Sequence, residues 1–389
     1  MLGRLRTLRR DLHRAAEIGL QLPRTQALVT AALAGVGLEI TIGQQLTSVV
    51  GVLRGARPRP APAVLLRADM DALPVTEETG EPFAAPPGVM HACGHDLHTA
   101  ALVGAAILLS RRRTELAGDV VFMFQPGEEG HDGAAAMITE GVLDAAGPRV
   151  AAAYGLHVFS SPLPRGVFAT RPGPLMAASA GLFVTVRGVG GHAARPHAAA
   201  DPIVVAAEMI TALQTMVTRQ FDVFDPVLIT VGIFQAGTRR NVIPDSATFE
   251  ATVRTFSAEA LARVQDRTVR LCTQIAAAHG LHADVSFTGE YPVTINDPEH
   301  AEFALGVAAD VFGRDRTLLL PNPMMGSEDF SRVLAEVPGA FVFLGACAGD
   351  DPATAPTNHS ALARFDESVL PDAALLLAEL ARRRLDLLS

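Results

Sequence analysis

Short apolar runs, AVLLRAD, DVVFMF and AAAYGLHV, alternate with helical patterns from the N-terminus to about residue 179. A strand covered on both faces needs helices above and below it, so this rhythm demands an α/β unit with a mainly parallel, helix-covered sheet. LHTAALVGAAILLS is a long apolar helix candidate that packs on that sheet. The polar clusters fall beside the strand runs, where ligands of open α/β sheets bind.

Between roughly 180 and 292 the order becomes strand GLFVTVRG, helix DPIVVAAEMITALQTMVTRQ, strands VLITVGIF and SATFEATVRTF, helix SAEALARVQDRTVRLCTQIAAAH, strand ADVSF. This β-α-β-β-α-β sequence is the split βαβ arrangement, an inserted α+β domain over 180–292. Asp201 with Pro202 and Ser257 start its helices, and Gly280 stops the second. RPGPLMAASA and YPVTINDP flank it with the proline and glycine of hinges. The α/β pattern then resumes with AFVFLGA and a closing helix near Asp366, which makes the first domain discontinuous, 1–179 and 293–389. Two domains suit a chain of 389 residues, 49% of them hydrophobic.

The formal charge is -9, every basic residue is arginine, and no basic run interleaves with aromatics, which argues against nucleic-acid binding. No stretch of about 18 apolar residues occurs and the N-terminus lacks a signal-peptide core, so the expectation is a cytoplasmic protein without a membrane partner. Cys93, Cys272 and Cys347 lie far apart, which argues against a disulfide framework and for a reducing compartment. Cys272 and Cys347 read as buried apolar residues; Cys93, in MHACGHDLHTA, stands apart.

Chemistry concentrates in a few donors. Cys93, His95, Glu129, His157 and His359 supply thiolate, imidazole and carboxylate, and five donors suit two metals better than one. Thiolate favours zinc, while the other donors also accept manganese, cobalt or nickel. Cys-Gly-His alone is a weak signal and a lone histidine is usually structural; the placement beside strand runs, with Gly94 letting the backbone bend, is what joins them. Adjacent side chains leaving a strand point to opposite sides, so in QPGEEG Glu129 would hold metal while Glu128 moves protons as general base and acid, unless the pair simply ends a strand in solvent. Asp69 and Asp71, two apart on a strand, face one side; Asp71 is the orienting carboxylate and Asp69 a support, unless the pair merely leads into the turn at Pro74. His192, after two glycines, either donates to a developing oxyanion or sits in a surface loop. Asn241 in RRNVIPD either binds substrate or closes a turn before Pro244.

Taken in order, LLRADMDALPV, MHACGHDLHTA, QPGEEG, GLHV, GGHAARPH, NVIPDSA, YPVTIND, GSEDFS and NHS resemble the peptidase M20 family. The likeness is greatest to its aminoacylase-like branch of N-acyl amino acid amidohydrolases, which includes hippurate and auxin-conjugate hydrolases. The resemblance implies a two-metal catalytic domain with an inserted lid that also mediates assembly of a homodimer or higher oligomer. It implies the five metal ligands named above, Glu128 as catalytic base, and His192 as a lid histidine that stabilises the tetrahedral intermediate, often across a dimer interface. Asn241 matches a substrate-contacting position, and the segment from Gly326 to Phe330 a loop lining the cleft. DLHRAAEIG departs from the family's usual histidine-proline-glutamate version and is expected near the cleft without holding metal. The expected activity is metal-dependent hydrolysis of the amide bond of small N-acyl amino acids. A dipeptidase or carboxypeptidase of the same fold and a non-catalytic binding protein are the alternatives.

Overall fold

The computed structural model describes residues 2–389. The chain divides into two compact units, one formed by Met1–Leu175, Ile295–Pro323 and Asp329–Ser389, the other by Met176–Thr294 and Met324–Glu328.

The first unit is built on an eight-stranded sheet in the order Glu39–Ile42, Val49–Leu53, Asp119–Gln125, Ala63–Asp69, Ala152–Phe159, Gly339–Gly345, Phe168–Thr170, Thr317–Leu319. Its four central strands, from Asp119–Gln125 to Gly339–Gly345, run parallel to one another. Antiparallel pairings at Val49–Leu53 and Phe168–Thr170 attach the flanking strands. Every residue of Ala63–Asp69, Asp119–Gln125 and Gly339–Gly345 is buried, the signature of a sheet covered on both faces. The helix His95–Arg111 is buried nearly all round, as its apolar sequence required. Gly104 lets it approach the closing helix Leu370–Leu387 closely, since a Cβ there would lie 2.7 Å from Cβ of Ala374. Asp366 caps a single 3-10 turn, Glu367–Val369, that leads into that closing helix.

The second unit carries a four-stranded antiparallel sheet in the order Leu228–Ala236, Ser246–Thr255, Ala178–Arg187, His282–Tyr291, with helices Pro202–Gln220 and Ala258–Ala278. Chain order and strand order together give the β-α-β-β-α-β topology. The Asp201 side chain accepts from the Ile203 N–H at 2.9 Å and Ser257 from the Ala260 N–H at 2.9 Å, so both helices start on side-chain caps. Gly280, at φ 71°, ends the second helix in the left-handed conformation. The segment Met324–Glu328 joins this unit through hydrogen bonds: Ala177 N–H donates to the carbonyls of Met324 and Gly326 at 3.0 and 2.9 Å, and Arg254 donates to Ser327 Oγ at 2.8 Å. Gly326 therefore belongs to the second unit, not to the segment returning to the first. Among the described residues no helix is long and apolar enough to cross a membrane.

Candidate metal centre

At the C-terminal ends of the parallel strands the first unit gathers Cys93, His95, Glu129, His157 and His359. Donor atoms of Cys93, His95 and His157 lie within 4.8 Å of one another, and so do those of Cys93, Glu129 and His359. Cys93 is common to both groups. The pairwise distances are short: Cys93 Sγ to His157 Nε2 3.4 Å, Cys93 Sγ to His359 Nε2 3.3 Å, and His359 Nε2 to Glu129 Oε1 3.2 Å.

Each donor arrives by a local device. Gly94 has φ 81°, and a Cβ on it would come within 2.5 Å of Val158 Cγ2; only glycine turns the chain here so that Cys93 and His95, the first residue of its helix, reach one site. His157 lies inside the strand Ala152–Phe159 instead of after its end. His359 is one of two non-glycine residues with positive φ, at 72°, among the described residues. That conformation costs about 1–2 kcal/mol. Hydrogen bonds over-determine it: His359 N–H donates to the Ala92 carbonyl at 2.9 Å, while Asn358 Nδ2 donates to the Val158 carbonyl at 3.0 Å and its Oδ1 accepts from Ser160 N–H at 2.9 Å.

The two glutamates differ from the strand-based expectation. Their strand ends at Gln125, and Glu128 and Glu129 sit in the turn that follows, so side-chain alternation does not separate them. Oxygens of both lie within 4.8 Å of a nitrogen of His95, on the same side. Asp71 holds this turn, its two oxygens accepting from Glu128 N–H at 3.0 Å and Glu129 N–H at 2.9 Å. Glu128 Oε2 stands 4.0 Å from His95 Nε2. Asp71 itself is two residues past the end of strand Ala63–Asp69, yet it and Asp69 converge on one imidazole: Asp71 Oδ1 is 3.5 Å from His95 Nδ1 and Asp69 Oδ2 3.6 Å from His95 Nε2.

The charges suit a cation. Both nitrogens of His95 are buried without a well-formed hydrogen bond, facing Asp71 and Asp69 at 3.5 and 3.6 Å, and Glu129 Oε1 is buried with the His359 ion pair at 3.2 Å, whereas buried polar atoms are normally fully satisfied. Hydrogen bonding to Cys93 and Glu129 raises the pKa of His359 to about 10. Burial drives His157 well below the ordinary imidazole range, and His157 Nδ1–H donates to the Val158 carbonyl at 2.9 Å, leaving Nε2 with its lone pair towards Cys93. Burial disfavours charge on His95 too, but Asp69 and Asp71 beside it raise it well above the ordinary range. Sulfur, imidazole nitrogen and carboxylate oxygen donors arranged in this way fit a pair of divalent cations.

His192 and Asn241 lie in the second unit, brought together by a two-stranded ribbon in which Gly191–His192 pairs with Val242–Ile243 and Ala193 N–H donates to the Asn241 carbonyl at 3.2 Å. Both side chains are exposed. His192 Nδ1 accepts from Ala194 N–H at 3.1 Å, which puts the proton of the neutral ring on Nε2. Gly326, also exposed, is held through its carbonyl by Ala177.

His13, from the divergent N-terminal segment, is buried with Nδ1 2.8 Å from Asp96 Oδ2 and Nε2 2.9 Å from Glu77 Oε2, so neither nitrogen remains for a metal. Four further residues of the site lie in the quoted motifs but had no role assigned from sequence: Arg67, His98, Asp329 and Asn358. Arg67, fully buried, bridges Asp69 at 2.7 Å and Asp329 at 2.9 Å. A charge in the middle of an apolar strand was the available signal for it. His98 stands three residues after His95, on the same helix face. Asn358 was marked only by its place beside His359 in NHS, with no role assigned.

Comparison with known proteins matches residues 65–383 to peptidase family M20/M25/M40. Thermostable carboxypeptidase 1 of Saccharolobus solfataricus is 38% identical over 379 residues, 96% of this chain and 93% of that protein. N-acetylcysteine deacetylase of Bacillus subtilis is 38% identical over 381 residues, 97% of this chain and 96% of its own. The crystal structure of a dinuclear metal-binding M20 peptidase from Bacillus subtilis superposes with a TM-score of 0.84 at 34% identity, covering 99% of this chain and 98% of that one. The donor set, the sheet that carries it and these likenesses agree, and the chain belongs to peptidase family M20/M25/M40.

Proposed function

We propose that the protein hydrolyses the amide bond of small N-acyl amino acids, releasing a carboxylic acid and an amino acid. The observation that carries this reading is the Glu128 carboxylate beside five converging donors, in a chain 38% identical to a deacetylase of an N-acetylated amino acid. Cys93, His95, Glu129, His157 and His359 would hold two divalent cations, zinc or manganese by donor type, with cobalt or nickel also accepted. Such cations supply Lewis acidity towards the amide carbonyl and lower the pKa of an attacking water.

The remaining work falls to the chain. Asp71, by accepting both N–H groups of the Glu128–Glu129 turn, orients Glu128. Glu128 takes the proton of the attacking water on its carboxylate and returns it to the departing nitrogen, which leaves as an amine. Asp69 supports His95 from the opposite side to Asp71. His192, with its Nε2–H fixed by the Ala194 contact, donates to the oxyanion of the tetrahedral intermediate, in its own subunit or in a partner's. Asn241 and Gly326 contact substrate. The domain bounds 1–179 with 293–389 and 180–292 are proposed as catalytic domain and lid, and the lid as the dimer contact. Its edge strand Leu228–Ala236 exposes Leu228, Ile233 and Phe234, which supports that contact. Three free cysteines fit the proposed cytoplasmic, reducing location.

A second reading, carboxypeptidase action on peptides, is favoured by the similarity to thermostable carboxypeptidase 1. Turnover of N-acetyl and N-benzoyl amino acids against dipeptides and longer peptides, with metal analysis of the same preparation, decides between them. Faster cleavage of peptides than of every acyl amino acid would overturn the first reading.

A further inference from the structure

We propose that His98 is a positioning residue: through the Val158 amide it fixes the ring of His157 so that Nε2, unprotonated, faces the metal site. The inference rests on the two-metal reading above and adds a residue to it.

His98 has no unengaged lone pair to offer a cation, although one of its nitrogens lies within 4.8 Å of donors on Asp69 and His95. Its Nε2 accepts from Val158 N–H at 2.7 Å. A backbone amide can only donate, so Nε2 carries the lone pair and the proton of the neutral ring sits on Nδ1. That Nδ1–H donates to Asp69 Oδ1 at 2.6 Å. The other oxygen of Asp69 is held by Arg67 Nη1 at 2.7 Å, and Arg67 is itself fixed by Gln125 Oε1 at 2.9 Å and Asp329 Oδ1 at 2.9 Å. Asp329 in turn accepts from Gln125 Nε2 and from Ala134 N–H at 2.9 Å. Every member of this chain is buried, so none of its hydrogen bonds can be replaced by bulk water.

The far end of the chain is the useful one. With its N–H held by His98, Val158 offers its carbonyl to His157 Nδ1 at 2.9 Å and to Asn358 Nδ2 at 3.0 Å. The first bond selects the tautomer of His157 that binds metal through Nε2; the second ties down the residue before His359. One backbone residue thus steadies two of the five donors. Arg67 and Asp69 set His98, His98 sets Val158, and Val158 sets His157.

The test uses His98→Gln, whose amide keeps an acceptor near the Nε2 position, and His98→Asn, whose amide keeps a donor near Nδ1. Metal-stripped wild type and both variants are titrated with zinc or manganese by calorimetry, with thermal melts of the stripped proteins alongside. His98→Asn is expected to weaken one of the two metal-binding steps about 10–100-fold, and His98→Gln to recover much of that loss. Metal affinities within about twofold of wild type in both variants would overturn the proposal. So would equal losses that follow the melting temperatures, since packing alone would then explain them. A wild-type protein that binds no metal would instead defeat the two-metal reading, and this inference with it. Imidazole nitrogen NMR shifts of the unmutated stripped protein give a check independent of any variant's folding: His98 must show a protonated Nδ1 and a bare Nε2, and the reverse tautomer sinks the idea.

Discussion

The two sheets solve the same burial problem differently. In the first unit, Ala63–Asp69, Asp119–Gln125 and Gly339–Gly345 are buried at every residue, whereas in the second Ser246–Thr255 alternates buried with exposed or half-exposed positions along its length. A sheet covered on both faces leaves little room for polar residues, so Asp69, Gln125 and His157 stand out against apolar surroundings. A sheet open on one face must carry polar residues throughout. His192 and Asn241, on an exposed ribbon of that second unit, are camouflaged among ordinary surface side chains. The contrast teaches that a polar residue is informative in proportion to how much apolar sequence surrounds it.

Four experiments test the difference between the two units. The largest effect is expected from chelation: removing metal should abolish hydrolysis, and zinc or manganese should restore it, while the fold of the second unit, which supplies none of the five donors, keeps its circular dichroism signature. Activity that survives exhaustive chelation would separate the strand-end cluster from the chemistry. Next, Glu128→Gln should lower kcat about 10²–10⁴-fold with metal content unchanged, because only the proton acceptor is lost. A variant that keeps most of its kcat would show that another group moves the proton.

His192→Ala probes the other unit. As one oxyanion donor it should cost about 10²–10³ in kcat and leave metal affinity untouched. A normal kcat would return His192 to the surface-loop reading. The smallest effects concern the sheets themselves. Phe341, wholly buried between Phe330 and Phe343, should destabilise the protein by about 3–5 kcal/mol on truncation to alanine. Phe183, 44% exposed on the second sheet, should change stability by only about 0.5 kcal/mol or less. Similar denaturant midpoints for the two alanine variants would contradict the difference in burial on which the comparison stands.

Much of the fold was legible because its signals are local. AVLLRAD and DVVFMF announce buried strands by composition, Asp201-Pro202 and Ser257 announce helix starts, and the β-α-β-β-α-β order names the second unit's topology. The site was legible as a set of donor types. Its geometry was less so: the separation of Glu128 from Glu129 was inferred from a strand that stops three residues short of Glu128, and the turn that replaces it is set by Asp71, 57 residues away. Arg67 and Asp329 are 262 residues apart, and no spacing rule links them.

By itself, then, the sequence determined which segments are strands or helices and which atoms can hold a cation or a proton, since these depend on each residue and its near neighbours. Folding in three dimensions settled which donors share a site, which ring nitrogen of His98 carries the proton, and how the strained backbone at His359 is held. Those outcomes depend on hydrogen bonds, and on long-range ones at Asp69–His98, His98–Val158 and Asn358–Val158 in particular, and a contact closed by folding has no trace in the local order of the chain.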